Sequence, residues 1–441
     1  MRLLCLDAQA NAVDWLLRCQ AAGHAVKWYV PPKPRLDPIG RGLIERVPEW
    51  RPWVQWADLI FLTDNTLWMR DMDMLRRHQN TPPIVGATEE VADWELDRNK
   101  GMAMFRQKGI SVPKSVDFHD YDAAIAFVKK QDKAFVSKPS GDADKALSYV
   151  AKTPEDLVYM LQRWKKHNKR RDFILQQKID GDEMAVGGWF GPAGFANAWC
   201  ENFEFKKLCD GDRGPNTGEQ GTVLRYVRKS RLADAVLAPF APALRRSGYV
   251  GYVDVNCIID AAGAPWPLEF TCRPGWPTFN IQQALHEGDP AEWLMDLATG
   301  HAPSIFEKDT IAAGVVLSVP DYPFNKLAVD LVTGIPIYGF QPSMRDSIHP
   351  CEVALGAAPQ KIKGQILEAP IWTTAGTYIL VGSGTGATVE EARRHAYQIL
   401  DRLSLPNSPM YRTDIGHRLR WQLPRLRDHG YALGMSYAAT P

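Results

Sequence analysis

Between Gly248 and Phe279 the chain reads GYVGYVDVNCIIDAAGAPWPLEFTCRPGWPTF, and this stretch leaves few ways to fold. Val250 to Ile259 is rich in β-branched and aromatic residues, Ala261 to Ala264 is a small-residue turn around Gly263, and Trp266 to Phe270 is a second apolar run. That pattern predicts a β-hairpin. Because side chains alternate across a strand, Asp254 and Asn256 share one face of the first arm, and Glu269 and Thr271 share one face of the second. Four oxygen-bearing side chains can then converge. Hard oxygen ligands from neighbouring strands suit Mg²⁺ (or Mn²⁺), which takes one or two carboxylates and leaves its other positions to nucleotide phosphates and water. A hairpin whose polar face simply meets solvent has the same pattern.

Composition narrows the class of protein. With 441 residues, 45% hydrophobic and 23% charged, the chain has room for about two to four domains. A net charge of +1 supplies no bulk field to attract nucleic acid or an acidic membrane. No apolar run reaches transmembrane length, and Met1 leads directly into a strand at Arg2 to Leu6 without a signal-peptide pattern, so a cytoplasmic protein is expected. The 7 cysteines include no C-x-x-C pair, which argues for free thiols instead of a disulfide frame or zinc site. Cys272, beside Glu269, is expected to be structural.

The first 95 residues alternate apolar runs with helical periods: strands at Leu3 to Leu6, Ala25 to Val30, Asp58 to Leu62 and Ile84 to Ala87, with a helix through Val13, Leu16 and Leu17. This order predicts a small parallel sheet. The turn Asp7 to Asn11 has no glycine, so the phosphate-cradling loop of a dinucleotide fold is absent. From Asp97 a helix carries Asn99, Lys100, Met104 and Phe105. A strand after Pro113, a helix from Tyr121 to Lys130, a strand from Ala134 to Lys138 and a further strand at Leu147 to Val150 follow. The loop Pro139 to Lys145 places a second lysine opposite Lys138, an arrangement able to clamp a triphosphate as a lid, although lysines at strand ends are commonly just solvated. The basic tract Lys165 to Arg171 reads as a wet helix end.

The ordered set of a lysine, a strand-end lysine, a hinge, Gly181-Asp182-Glu183, an Asp strand and a Glu-Phe strand resembles the ATP-grasp superfamily. Cys209 to Gly221, CDGDRGPNTGEQG, is similar to the DGD-x-GPNTGGMG segment of phosphoribosylamine–glycine ligases. Tyr411, Arg412, Asp414, Ile415, Gly416 and Arg418 match that family's closing YR-x-DIG-x-R signature. The resemblance implies an α/β and α+β protein with the ATP-grasp fold: an N-terminal parallel-sheet domain (1–95), a core (96–310) with a lid subdomain (about 112–183), a C-terminal mixed α/β domain (311–424) and a peripheral tail (425–441).

It also implies roles. Lys100 and Lys138 resemble the two nucleotide-phosphate lysines, and Lys145 the lysine of the mobile loop. Gln177, Lys178 and Ile179 fall where the hinge holds adenine, and Glu183 where a carboxylate takes the ribose hydroxyls. Glu269 and Asp254 resemble metal carboxylates, with Asn256 or Thr271 as further ligands. Arg273 stands near the reacting oxygens, where a fixed guanidinium stabilises developing charge. Asp212, Pro215, Asn216 and Thr217 lie in the substrate loop.

Departures cluster on the amine side. DAQANAVDW stands where the family has its N-terminal phosphate-binding GGREHA, GEQG replaces GGMG through Glu219 and Gln220, and Thr271 stands for an asparagine. The expected activity is therefore an ATP- and Mg²⁺-dependent carboxylate–amine ligase working through an acyl phosphate, activating glycine or another amino acid and delivering it to an amine other than phosphoribosylamine. A genuine purine-pathway ligase and a catalytically silent ATP-binding protein are the alternatives. Partners are expected to be a small carboxylate and a small amine, with a nucleic acid or modified nucleotide left open as acceptor, no membrane, and a monomer or homodimer.

Overall fold

The N-terminal alternation of strand and helix closes as a four-stranded parallel sheet. Its strands are β1 (Arg2–Leu6), β2 (Ala25–Tyr29), β3 (Leu59–Leu62) and β4 (Ile84–Val85), in the order β2-β1-β3-β4. β3 is buried throughout and β1 all but its first residue, which is why both read as unbroken apolar runs instead of alternating ones. In the computed structural model, residues 1–139, 148–167, 172–301, 305, 307–406 and 408–439 are described; Lys145 lies outside them.

A second sheet is antiparallel: β5 (Ser115–Phe118), β6 (Phe135–Pro139), β7 (Tyr149–Val150) and β8 (Phe173–Gln177), in the order β5-β8-β6-β7. The helices Tyr121–Val128 and Pro154–Lys166 pack on it. Their apolar faces make a small core of Phe118, Tyr121, Val128, Leu157, Leu161 and Leu175 that is separate from the main one. Asp120 and Thr153 cap the two helices through side-chain oxygens.

The largest sheet has eight strands. β9 (Asp182–Gly191) and β10 (Gly194–Glu204) form one hairpin; a short ribbon, β11 (Lys207–Cys209) with β12 (Arg213–Asn216), leads into β13 (Gly221–Val227); β14 (Gly251–Ile259) and β15 (Pro265–Thr271) form the anticipated hairpin. Then come β16 (Ile311–Ser318), β17 (Thr333–Pro336), β18 (Ile348–Pro350), β19 (Val353–Ile362), β20 (Gln365–Ala375) and β21 (Tyr378–Gly386). The eight-stranded order is β15-β14-β9-β10-β13-β16-β21-β18, while β17, β20 and β19 make a small separate sheet.

Two expected boundaries do not hold. A division at residue 311 does not interrupt hydrogen bonding, since β16, β21 and β18 extend the same sheet as the hairpin. The C-terminal residues are not peripheral either. The helix Leu419–Asp428 crosses the expected limit, Tyr431, Ala432 and Met435 are buried, and Ser436 and Tyr437 accept hydrogen bonds from Val389 and Glu390. The glycine-rich run Ser383 to Gly386 is the last part of β21. The bare Gly384 lets the helix Val389–Leu400 lie directly on the sheet, where a Cβ would come within 2.3 Å of Ala396 N.

Candidate active site

The hairpin sets the first geometry. Asp254 pairs with Thr271 and Asn256 with Glu269, and cross-strand partners in an antiparallel ladder point to the same side. All four oxygen-bearing side chains therefore share a face, as the alternation predicted. That face continues across the sheet, because β9 sets Ala185 and Gly187 between Asn256 and Asp254 on one side and Asn202 and Cys200 of β10 on the other.

At the edge of this face lies a charge cluster centred on Lys206. Its ammonium is 3.1 Å from Glu183 Oε1, 3.0 Å from Glu204 Oε2 and 3.9 Å from Glu269 Oε1. Burial works against the charged amine, but the three carboxylates outweigh it and hold Lys206 well above the ordinary lysine value. Thr217 fixes the strand end, since its hydroxyl donates to Lys206 O at 2.9 Å and its N–H to the same carbonyl. Asn256 Nδ2 donates to Glu204 Oε2 at 2.9 Å, tying the hairpin to the cluster.

Lys138, on β6, faces the same cluster. Burial pushes its ammonium down to about 7, aided by Arg98 and opposed by Glu269. Arg98 itself lies 3.3 Å from Glu269 Oε2. Lys100 does not join them: its ammonium is 2.5 Å from Asp93 Oδ2, and both side chains are largely exposed. The helix Arg98–Gln107 thus sends Arg98 into the cluster, while Lys100, expected beside Lys138, pairs with Asp93 of the preceding helix, Glu89–Leu96.

Deeper on the face, Asp254 is 4% exposed. Its Oδ2 accepts from Asn202 Nδ2 at 2.9 Å and from Tyr252 OH at 3.3 Å. Burial, reinforced by Glu204, pushes the carboxyl up to about 7. Asp254 Oδ1, Asn256 Oδ1 and Arg98 Nη1 are buried without a protein partner. Such groups are costly unless a ligand satisfies them. Acceptors on the hairpin beside donors on Lys138 and Arg98 are the set that a metal-bound triphosphate requires, so the residues fit Mg²⁺ and ATP. Among the described residues no three His, Cys, Asp or Glu side chains are grouped to hold a metal unaided.

The hinge segment follows β8. Gln177 N–H donates to Lys114 O at 2.7 Å, Lys178 pairs with Asp180 at 3.2 Å, and Glu183 is the second residue of β9. Arg273 is directed to the helix Glu89–Leu96. Its guanidinium is 2.9 Å from Glu95 Oε1, and Glu95 Oε2 also accepts from Cys272 N and from Asn65 Nδ2. Burial works against the guanidinium, yet Glu95 and Asp64 hold it above its ordinary value. The structure therefore places Arg273 where the core meets the N-terminal residues Asp64 and Glu95.

The two distant signatures are in contact. Arg412 pairs with Asp414 at 2.8 Å and with Asp212 at 2.9 Å, and Arg418 lies 3.2 Å from Asp212. Gly211 N–H donates to Asp414 and Thr413 N–H to Asp210. Asp212, expected at the substrate, is bonded to the C-terminal motif. Asn216 reaches Ser148 O at 3.2 Å on the lid side, and Pro215 lies beside it in β12.

Sequence reading missed Glu204, Lys206, Asn202 and Arg98. A signal for three of them was present, because Asn202, Glu204 and Lys206 alternate with Phe203 and Phe205 at the period of a strand.

The chain is similar to known proteins in sequence and in fold. Residues 99–278 match the family model described as phosphoribosylglycinamide synthetase, ATP-grasp (A) domain. A phosphoribosylamine–glycine ligase of Ralstonia nicotianae is 28% identical over 350 residues, covering 76% of this chain and 78% of that protein. One from Neisseria meningitidis is 25% identical with the same coverage. Among solved structures, phosphoribosylamine–glycine ligase from Thermotoga maritima superposes with a TM-score of 0.69 at 19% identity, over 94% of this chain and 100% of that one. L-amino acid ligase from Bacillus licheniformis gives 0.54 at 14% identity, over 92% and 99%. Residues 99–278 thus resemble the ATP-grasp (A) domain of phosphoribosylglycinamide synthetase, in a chain that has the ATP-grasp fold and is similar to phosphoribosylamine–glycine ligase.

Proposed function

We propose that the protein is an ATP-dependent carboxylate–amine ligase that activates glycine or another amino acid and transfers it to an amine other than phosphoribosylamine. A carboxylate oxygen of the acid attacks the γ-phosphorus of ATP and ADP leaves; the amine then attacks the acyl carbon and phosphate leaves. In this reading Lys138 and Arg98 hold the phosphates, Lys178 and Ile179 offer backbone groups to adenine, and Glu183 takes the ribose. Asp254, Asn256, Glu269 and Thr271 would hold Mg²⁺ (or Mn²⁺), which would supply positive charge to offset that of the transferring phosphoryl group.

The observation that carries the choice of amine is Asp7. It is fully buried at the end of β1. Its carboxylate accepts from Ala12 N at 2.8 Å, Gln9 N at 3.3 Å, Thr63 Oγ1 at 2.7 Å and Trp28 Nε1 at 3.2 Å. Backbone amides at such a turn are what a sugar phosphate would need, and here a resident carboxylate takes them and adds a repelling charge. The test is product analysis with ATP, glycine and either phosphoribosylamine or phosphate-free amines. The expected result is product only with the latter; efficient formation of glycinamide ribonucleotide would establish the second reading, a phosphoribosylamine–glycine ligase, which the names of the relatives favour.

A further inference from the structure

Beyond β17 the hairpin of β19 and β20 continues as a two-stranded arm. β17 pairs with β20 at Thr333–Ala375 and Pro336–Thr373 and goes no further, and among the described residues no other strand joins the arm from Leu355 and Trp372 out to Ile362 and Gln365. Residues 361–368 are all exposed. A ribbon of two strands is marginal in water by itself. Between residues 353 and 375 only Lys361, Lys363 and Glu368 carry charge, and such depletion of charge marks the core of an interface.

One face of the arm carries both a knob and a hole. Alternation puts Ile366, Glu368, Pro370 and Trp372 on that face, with Lys361 opposite Ile366 and Leu355 opposite Trp372. At the outer end Ile366 is 76% exposed, more than any other large apolar side chain among the described residues. At the inner end Tyr338, Phe340, Leu355, Pro370 and Trp372 line a cavity of about 300 Å³, one wall of which is Phe340 stacked on Trp372 at 4.3 Å. Knob and hole are six residues apart, about 20 Å along a strand. A second copy laid face to face and antiparallel, with a two-fold axis at Ala369, therefore sets each Ile366 over the other copy's Trp372. The patch is its own complement, as a two-fold interface requires.

We propose that the protein is a two-fold dimer through this arm, with Ile366 of each copy seated in the Trp372 cavity of the other. A strand added at the edge is the other way to cover such a ribbon, but Pro359 in β19 and Pro370 in β20 have no N–H to give it, which leaves the face. Residues 337–340 and 355–372 together offer about the twenty residues a side that an interface of standard size takes.

Sedimentation equilibrium of the whole protein at micromolar concentration should give twice the mass of one chain. Ile366→Asp changes a side chain that is exposed in the single chain, so the circular dichroism should stay that of the wild type while the dissociation constant rises at least about thirtyfold. Leu433→Asp, at an apolar side chain 66% exposed elsewhere, should leave dimerisation unchanged. The arrangement itself is read by cross-linking. Ile366→Cys and Leu355→Cys proteins, each also carrying Cys209→Ser to remove the exposed native thiol, should be joined when mixed with a bismaleimide spanning about 10 Å, the spacing of packed sheets. Neither should be joined to itself, because like positions lie about 20 Å apart across the axis. A wild-type monomer at about 100 μM, a dimer that Ile366→Asp leaves intact, absence of the mixed cross-link, or cross-linking of Ile366→Cys to itself would overturn the proposal.

Discussion

Lys206 Nζ lies 3.1 Å from Glu183 Oε1, so the carboxylate assigned to the ribose is held by a cation supplied from the link between β10 and β11. Lys206 also neutralises Glu204 and Glu269, and without it three carboxylates would face one another. Lys206→Met should destabilise the protein by about 2 kcal/mol, less than the roughly 3–5 kcal/mol of a fully buried pair because these side chains are partly exposed. Denaturant unfolding at neutral pH measures it; a change within about 0.5 kcal/mol would mean that the cluster contributes nothing to folding.

Lys138 should make stability and nucleotide binding depend on pH in opposite directions. Its folded value is about 7, against about 10.4 for a free lysine. Between these limits the unfolded chain binds more protons, so stability rises with pH across that window, and Lys138→Met should remove the rise. A bound triphosphate favours the charged amine, so ATP binding at pH 8 should take up a proton in the wild type and not in Lys138→Met. Calorimetry in buffers of different ionisation enthalpy reads that proton directly.

Asp254 has the other sign. Its carboxyl is raised to about 7 from about 3.9. The folded protein therefore binds the extra proton between these values, and the stability this contributes at low pH is lost as pH rises through 7. Asp254→Asn should raise the stability of the metal-free protein at pH 8 by on the order of 2 kcal/mol and lower ligase activity at least tenfold. Full activity in a folded Asp254→Asn protein would leave Glu269 as the single metal carboxylate of the hairpin.

Much of the architecture was legible because it is written in local periods. The parallel sheet follows from the buried runs at Leu3 and Leu59, and the Asp254–Thr271 and Asn256–Glu269 pairings follow from alternation about the Gly263 turn. What was not legible depends on register between strands far apart in the chain. Nothing local at Arg98 indicates that it, and not Lys100, will reach Glu269. Likewise Asp212 reads as a loop acid until Arg412 and Arg418 are folded onto it from 200 and 206 residues away. The expected break at residue 311 failed for the same reason, since nothing in β16 itself states that β13 will be its neighbour.

The central claim is transfer through an acyl phosphate, and oxygen tracing tests it most directly. With the activated amino acid carrying ¹⁸O in its carboxylate, and ATP, Mg²⁺ and an accepted amine present, mass spectrometry of the released phosphate should show one ¹⁸O per turnover, with ADP as the co-product. Unlabelled phosphate, or pyrophosphate and AMP in place of phosphate and ADP, would contradict it.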